Sequence, residues 1–170
     1  MDEQKIPALN NHNKKEYPPA HTAEHILNRT MVNKFKCSRS RNTHIEKKKS
    51  KCDYLLKTAP NETEIKEIEA KVNEVINSNL DINMKYVTRE EASKIVDLSK
   101  LPENASKTLR IVSIGDYDDC ACIGEHVKNT SEIGEFKIIS NSFIKPEKAN
   151  TLDKRTSDVL GKWRVRWKLL

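Results

Sequence analysis

Apolar residues recur at helical spacing near the start of the chain. Two prolines, Pro18 and Pro19, precede this pattern. Proline suits the first turn of a helix because that turn does not use the N–H group that proline lacks. Successive turns then place one apolar residue each on the same face. This stripe consists of Ala23, Leu27, Met31 and Phe35. The pattern predicts a helix over residues 18–35.

Two further helices are predicted from their N-terminal capping residues. Asn61 begins the first, with Glu64 three residues later, and Thr88 begins the second, with Glu91 in the same relative position. The first of these helices has one apolar face, which indicates that it packs on a core. That face consists of Ile65, Ile68, Val72, Val75 and Ile76.

Strands are predicted where β-branched and aromatic residues cluster or alternate with polar ones. These segments are residues 43–49, 50–56, 108–115, 135–140 and 163–170. The last has an apolar face of Trp163, Val165, Trp167 and Leu169 and a basic face of Arg164, Arg166 and Lys168. On such a face the tryptophans are expected in the core, with base stacking as the alternative. The mixed order of helices and strands predicts one α+β domain over residues 18–170, after a polar tail at residues 1–17.

Composition narrows the class of protein. Hydrophobic residues make up 36% of the 170 residues and charged residues 33%. No apolar run approaches the roughly 20 residues of a membrane-spanning helix. The N-terminus lacks the apolar segment of a secretory signal, so a cytoplasmic protein is expected. The four cysteines are then expected to be thiols or metal ligands rather than disulfides.

Positive charge is concentrated in one part of the chain. The net charge is +6, and residues 34–51 contain eight lysines and arginines against the single acid Glu46. Such a run suits a polyanionic partner, although a solvated surface with no partner is the open alternative. The nucleic-acid contacts predicted from this run are Arg39, Arg41, Lys47, Lys48 and Lys49.

Two pairs of metal-binding residue types share a four-residue spacing. His21 and His25 lie one turn apart on the first predicted helix, and Cys122 and His126 lie in a later loop. Zinc usually takes four nitrogen or sulfur ligands in tetrahedral geometry, or three ligands plus water. The two pairs are therefore candidates for one shared zinc site. The alternative is a pair of ordinary half-buried histidines and a small buried thiol.

The stretches "HTAEHIL" (21–27) and "CIGEHVKNTSEIGEFKI" (122–138) resemble the editing domain shared by alanyl-tRNA synthetase, threonyl-tRNA synthetase and the freestanding AlaX proteins. That family carries H-x-x-x-H on its first helix and C-x-x-x-H before a segment like the second stretch. The "CDYLL", "IEAKVNEVI", "REEA" and "LRIVSIGDY" segments follow in the family's order. The resemblance covers about residues 20–140 and, more weakly, the last strand. It implies an AlaX-like α+β domain with an antiparallel sheet packed against helices.

The resemblance also implies an activity, a cofactor and a partner. Family members hydrolyse the ester between a wrongly attached amino acid and the 3′ end of a tRNA. The alanine branch removes serine and glycine from the tRNA for alanine. A Zn²⁺ ion held by His21, His25, Cys122 and His126 and an aminoacylated tRNA are therefore expected. Because the chain has no phosphate-binding glycine loop, it is expected to edit in trans rather than to attach amino acids.

The chain departs from the family pattern beside the cysteine. The alanine branch usually reads C-G-G-T-H, whereas residues 122–126 read C-I-G-E-H. Several relatives have an acid two residues before the cysteine, and Cys120 stands there in this chain. These changes leave the metal ligands in place and bear on the amino-acid specificity.

Three further residues are candidates for catalysis. Glu24 completes H-x-x-E-H, the inverted zinc-peptidase motif with a glutamate base, but a role in orienting a histidine or water is favoured. Thr22 is either a contact for a substrate hydroxyl or a helix-surface threonine. Asp53 either lines the pocket or ends a strand. The alternatives to a deacylase are a non-catalytic, zinc-stabilised RNA-binding module and a zinc hydrolase of small esters or amides.

Overall fold

A computed structural model describes residues 17–96, 98, 107–149, 151–152 and 158–170. The predicted tail lies outside the described residues except for Tyr17. The helices are α1 (Pro18–Phe35), α2 (Glu62–Ile76), α3 (Arg89–Ser93) and α4 (Pro146–Ala149). The strands are β1 (Asn42–His44), β2 (Ser50–Leu56), β3 (Ile82–Thr88), β4 (Thr108–Ile114), β5 (Asp118–Ala121), β6 (Phe136–Ile144), β7 (Thr151–Leu152) and β8 (Val159–Leu169). None of the helices in these ranges is both long and apolar enough to cross a membrane.

The strands pair into two antiparallel sheets. The large sheet has the order β1-β2-β8-β6, with β7 paired to β8, and the small sheet has the order β3-β4-β5. Every pairing within them is antiparallel. The predicted α+β class and antiparallel pairing are confirmed, although the strands divide between two sheets rather than forming one.

The main core lies between the large sheet and the helices α1 and α2. Alternate residues of β8 point into it, and Trp163, Val165 and Trp167 are fully buried. Burying one large apolar side chain contributes about 1.5–3 kcal/mol, so these side chains fix β8 at the centre of the fold. The stripe of α1 is buried against them through Ala23, Leu27 and Met31. The tryptophans are therefore core residues, as expected.

The helix starts agree with their capping residues. Asn61 accepts a hydrogen bond from the Glu64 N–H at 2.8 Å, and Glu64 accepts one from the Asn61 N–H at 3.0 Å, which completes a capping box on α2. Thr88 accepts from the Glu91 N–H at 3.1 Å, but the Glu91 carboxylate accepts from the Thr88 hydroxyl rather than from its N–H. The start of α3 therefore has half of the predicted box.

Several strands differ from the prediction: β6 and β8 are longer than predicted, and β7 has no counterpart in it. The strand predicted over residues 43–49 is wrong in length, because β1 ends at His44 and residues 45–49 connect it to β2. The strand β3 has no counterpart in the prediction. The strand β5 falls in "DDCA", a segment of acids and small residues that favours a loop. Its pairing with β4 overrides that local preference and fixes the backbone that leads to Cys122.

Candidate metal centre

Three histidines and one cysteine meet between α1 and the segment that follows β5. One ligand atom from each of His21, His25, Cys122 and His126 lies within 4.8 Å of the others. The histidine ring centroids are 4.0, 4.5 and 4.9 Å apart. The Sγ atom of Cys122 lies 3.3 Å from Nε2 of His21. The structure therefore brings together the four residues that were predicted as zinc ligands.

The connection that presents Cys122 and His126 is held by Arg110 of β4. The Nε atom of Arg110 donates to the carbonyl of Cys122 at 2.7 Å, and its Nη2 donates to the carbonyl of Gly124. The Cys122 N–H in turn donates to the Arg110 carbonyl at 3.0 Å. Arg110 thus fixes the backbone of this connection. Nothing in the sequence pattern marks it, because an arginine within a strand does not reveal which carbonyls it binds.

The hydroxyl of Thr22 determines which nitrogen of His126 carries a proton. It donates to the carbonyl of Pro18 at 3.1 Å and accepts from the Val127 N–H at 3.2 Å. A hydroxyl has one proton, so Thr22 accepts from Nδ1 of His126, which is 2.9 Å away. The lone pair of His126 is then at Nε2, where it can bind a metal ion. Because Thr22 is fully buried, it positions His126 and has no exposed surface for a substrate hydroxyl.

A backbone carbonyl orients His21 in the same way. The Nδ1 atom of His21 lies 2.9 Å from the carbonyl oxygen of Glu125. A carbonyl oxygen only accepts, so Nδ1 carries the proton and Nε2 turns its lone pair towards Cys122. A hydrogen bond from the non-ligating nitrogen is the usual means of orienting a metal-binding histidine.

Burial sets the protonation of the cluster. It is the main cause that lowers the pKa of His126 to about 2 and the pKa of His25 well below its usual 6.5. Both rings are therefore neutral near pH 7, which is the form that binds a metal ion. Burial also raises the pKa of the Cys122 thiol to about 12, so the thiol keeps its proton unless a metal ion replaces it.

Two buried nitrogen atoms of the cluster lack a hydrogen-bond partner among the described residues. They are Nδ1 of His25 and Nε2 of His126. An unpaired buried polar atom typically costs about 1–3 kcal/mol, and a bound metal ion would remove that cost at a ligating nitrogen. Three imidazoles and one thiolate are a donor set that suits zinc. The residues present therefore fit a zinc ion.

A family model covers the part of the chain that contains half of this cluster. Residues 109–166 match the model described as the threonyl and alanyl tRNA synthetase second additional domain. The matched span includes Arg110, Cys122 and His126 and most of β8. This part of the chain is therefore similar to that domain.

Alanine–tRNA ligases are similar to this chain over part of its length. The ligase of Thermoanaerobacter sp. (strain X514) is 39% identical over 92 residues, which are 54% of this chain and 10% of the ligase. The ligase of Fervidobacterium nodosum is 33% identical over 125 residues, which are 73% of this chain and 14% of the ligase. The chain thus spans only a small part of the length of these relatives.

A buried carboxylate lies behind His25. Asp118 of β5 has a fully buried side chain, and its Oδ1 accepts from Arg29 at 2.9 Å and from Arg39 at 2.7 Å. Its Oδ2 is 3.7 Å from Nδ1 of His25. Sequence reasoning missed Asp118, because the acids of "DYDD" carry no signal of which one turns inward.

Arg39, which was predicted as an RNA contact, forms an ion pair inside the protein. Its side chain is only 17% exposed, and both of its terminal nitrogens bind Asp118. The other predicted contacts differ from it in being exposed. They are Arg41, Lys47, Lys48 and Lys49.

Glu24 lies at the edge of the cluster. Its Oε1 accepts from Asn28 at 3.0 Å, and its Oε2 is 3.7 Å from Nε2 of His25. His25 therefore has a carboxylate near each ring nitrogen, Glu24 on one side and Asp118 on the other. Whichever nitrogen ligates a metal ion, the other faces a carboxylate, an arrangement that orients metal-bound histidines.

Asp53 is not brought to the cluster. It points to the opposite face of the large sheet from its buried neighbours Cys52 and Tyr54, because successive side chains of a strand alternate. Its carboxylate accepts from Arg164 at 2.7 and 2.9 Å and from Asn42 at 2.8 Å. These contacts join β2 to β8 and β1.

We expect Asp53→Asn to destabilise the fold by about 1–3 kcal/mol, because it weakens the hydrogen bonds of a nearly buried carboxylate. Urea unfolding measures this change. Binding of added zinc, and the rate of the deacylation that the resemblance implies, should stay unchanged. Asp116→Asn, at an exposed acid, is the control and should alter neither stability nor rate. A variant at Asp53 with normal stability and a reduced rate would instead support its predicted catalytic role.

Proposed function

We propose that the chain is a zinc-dependent aminoacyl-tRNA deacylase that acts in trans in the cytoplasm. The observation that carries this proposal is the four-residue cluster, and two of its residues lie in the span that is similar to the synthetase domain. Its proposed partner is an aminoacylated tRNA. The similarity to alanine–tRNA ligases supports alanine-type specificity, which means removal of serine or glycine from the tRNA for alanine.

The ligands of the proposed ion are His21, His25, Cys122 and His126. Zinc supplies a Lewis acid that can anchor the aminoacyl group or polarise the ester and water. Thr22 and the Glu125 carbonyl hold two of the imidazoles in the tautomer that ligation needs. Arg110 holds the backbone between the other two ligands.

Glu24 is the proposed proton carrier. In the hydrolysis, a water oxygen bonds to the ester carbonyl carbon, and Oε2 of Glu24 takes the proton from that water. The bond between the carbonyl carbon and the ribose oxygen then breaks, and the departing ribose oxygen receives the proton from Glu24. Asn28 orients the carboxylate by donating to Oε1. The side chain of Glu24 is 12% exposed, so water has access to it.

A non-catalytic, zinc-stabilised tRNA-binding module is the second candidate. Of the three residues predicted to be catalytic, Thr22 contacts the His126 ring through a buried hydroxyl, Asp53 lies away from the cluster, and only Glu24 places a carboxylate at its edge. This favours a module that kept the metal site and the fold without the activity.

Deacylation assays distinguish these candidates. We expect the zinc-loaded protein to hydrolyse seryl- and glycyl-tRNA for alanine and to leave correctly charged alanyl-tRNA intact. Glu24→Gln should reduce the rate by about 10²–10⁴-fold with zinc retained, the range typical of a lost acid–base group. Binding of the charged tRNAs without hydrolysis would identify the non-catalytic module. Comparable hydrolysis of a nitrophenyl ester would indicate a small-ester hydrolase.

We expect the purified protein to contain about one zinc ion per chain, because three imidazoles and a thiolate match its preferred ligands. Elemental analysis of protein produced with zinc supplementation measures this ratio. Removal of the ion with a chelator should lower the thermal unfolding temperature, since binding energy to the folded state is lost. A ratio near zero after supplementation would contradict the site.

A further inference from the structure

The outer face of the large sheet carries a basic patch that shares only Lys51 with the predicted 34–51 run. Along β8, alternate side chains turn away from the buried tryptophans, and the flanking strands β2 and β6 add their own residues to this face. Four half-buried or exposed residues form what we call the outer-face patch: Lys51, Lys137, Arg166 and Lys168.

Like charges stand directly opposite each other in this patch. Lys51 is paired in register with Arg166, and Lys137 is paired with Lys168. Directly opposed like charges destabilise an antiparallel pair of strands. An anionic partner bound across both pairs would offset this repulsion.

Nearby acids do not neutralise the patch. Asp53 is the acid on this face that contacts β8, and it is bound to Arg164. Within the described residues, no carboxylate lies within ion-pair distance of any of the four patch residues. The positive charge of the outer-face patch is therefore available to an anionic partner.

The patch continues towards the metal ligands. The end of β8 that carries Arg166 lies beside the start of β2, which the exposed lysines 47–49 precede directly. The Nζ atom of Lys47 lies 5.7 Å from the ring centroid of Tyr17. The carbonyl of Tyr17 accepts from the N–H of His21 at 2.9 Å, so the basic residues reach the first turn of the helix that presents the cluster.

We propose that the outer-face patch binds the phosphate backbone of a tRNA whose 3′ end reaches the metal ligands. The identity of the RNA as tRNA rests on the proposed function, whereas the contact with a phosphate backbone rests on the charge of the sheet. Lysine and arginine contacts to phosphate fix the position of a nucleic acid without reading its sequence. The patch therefore contributes affinity and orientation, and it leaves the choice of tRNA to other contacts.

The test compares two triple variants that lose the same net charge. The patch variant carries Lys51→Gln, Arg166→Gln and Lys168→Gln, and the control carries Lys66→Gln, Lys85→Gln and Lys94→Gln at exposed positions elsewhere. Binding of an uncharged tRNA transcript is measured between about 50 and 200 mM salt, where phosphate contacts dominate the salt dependence. The plot of log affinity against log salt should become shallower in the patch variant. The magnitude of its slope should decrease by about 2–3, since each phosphate contact contributes about 0.9. It should change by less than about 1 in the control.

Separate readouts keep this proposal distinct from the deacylase. Both triple variants should retain zinc, and the patch variant should unfold at the same or a higher temperature because a repulsion is removed. If the patch variant shows the weaker salt dependence but the protein does not deacylate tRNA, phosphate binding by the patch is supported and the proposed deacylase activity is contradicted. Equal slopes for the two triple variants would overturn the patch, whatever the deacylation rate.

Discussion

Cys122→Ala is expected to abolish zinc binding and deacylation together, whereas Cys120→Ala retains both. The Sγ atom of Cys122 lies within the ligand cluster, 3.3 Å from Nε2 of His21. Cys120 stands two residues earlier on β5, outside that cluster, and its Sγ contacts the carbonyl of Ala121 at 3.6 Å. Loss of one of four ligands opens the coordination shell and weakens the hold on the connection that carries His126.

Elemental analysis and deacylation of a mischarged tRNA measure this pair of variants. For Cys122→Ala we expect zinc below about a tenth of an equivalent and a rate at the background of spontaneous hydrolysis, because structural zinc binding depends on its full ligand set. Cys120→Ala, matched in chemistry and position, controls for the loss of a thiol. If the two variants exchanged these outcomes, the assignment of Cys122 as the ligand would be wrong.

Thr22→Val is expected to weaken zinc binding by about 10–100-fold, the usual effect of removing a group that orients a metal ligand. The valine keeps the shape of the side chain but removes the hydroxyl that accepts from His126 and from the Val127 N–H. Leaving these buried donors unpaired should also destabilise the fold by about 1–3 kcal/mol. The ring of His126 then loses the contact that fixes its tautomer.

Competition titration with a zinc chelator and urea unfolding measure the two effects of Thr22→Val. Thr22→Ser is the control, because it keeps the hydroxyl and should retain most of the zinc affinity. A catalytic role for Thr22 predicts a different result, in which Thr22→Val binds zinc normally and loses only the deacylation rate.

Local patterns predict the two long helices and bring His21 and His25 to one helix face. The stripe of α1 and the capping box at Asn61 depend on residues within a few positions of each other, so the sequence contains the whole signal. The same holds for the spacing of His21 and His25 along one helix. The later pair needed the resemblance to the editing domain to connect it with the first.

Contacts between distant residues account for what the sequence did not reveal. Asp118 turns inward because β5 pairs with β4 and because Arg29 and Arg39 surround its carboxylate. Arg39 was predicted to bind RNA from its place in a basic run, yet the fold assigns it to this ion pair. Thr22 is polar and could lie on a helix surface, but the connection after β5 covers it and buries it.

The alternation of side chains along β8 makes tryptophan fluorescence a selective probe of unfolding. The chain has two tryptophans, and both lie on the buried face of this strand, opposite the outer-face patch. Their fluorescence therefore follows exposure of the core to water on unfolding. An RNA bound across the other face does not stack on either indole ring. The tryptophan emission should therefore report unfolding, and not RNA binding, in both free and tRNA-bound protein.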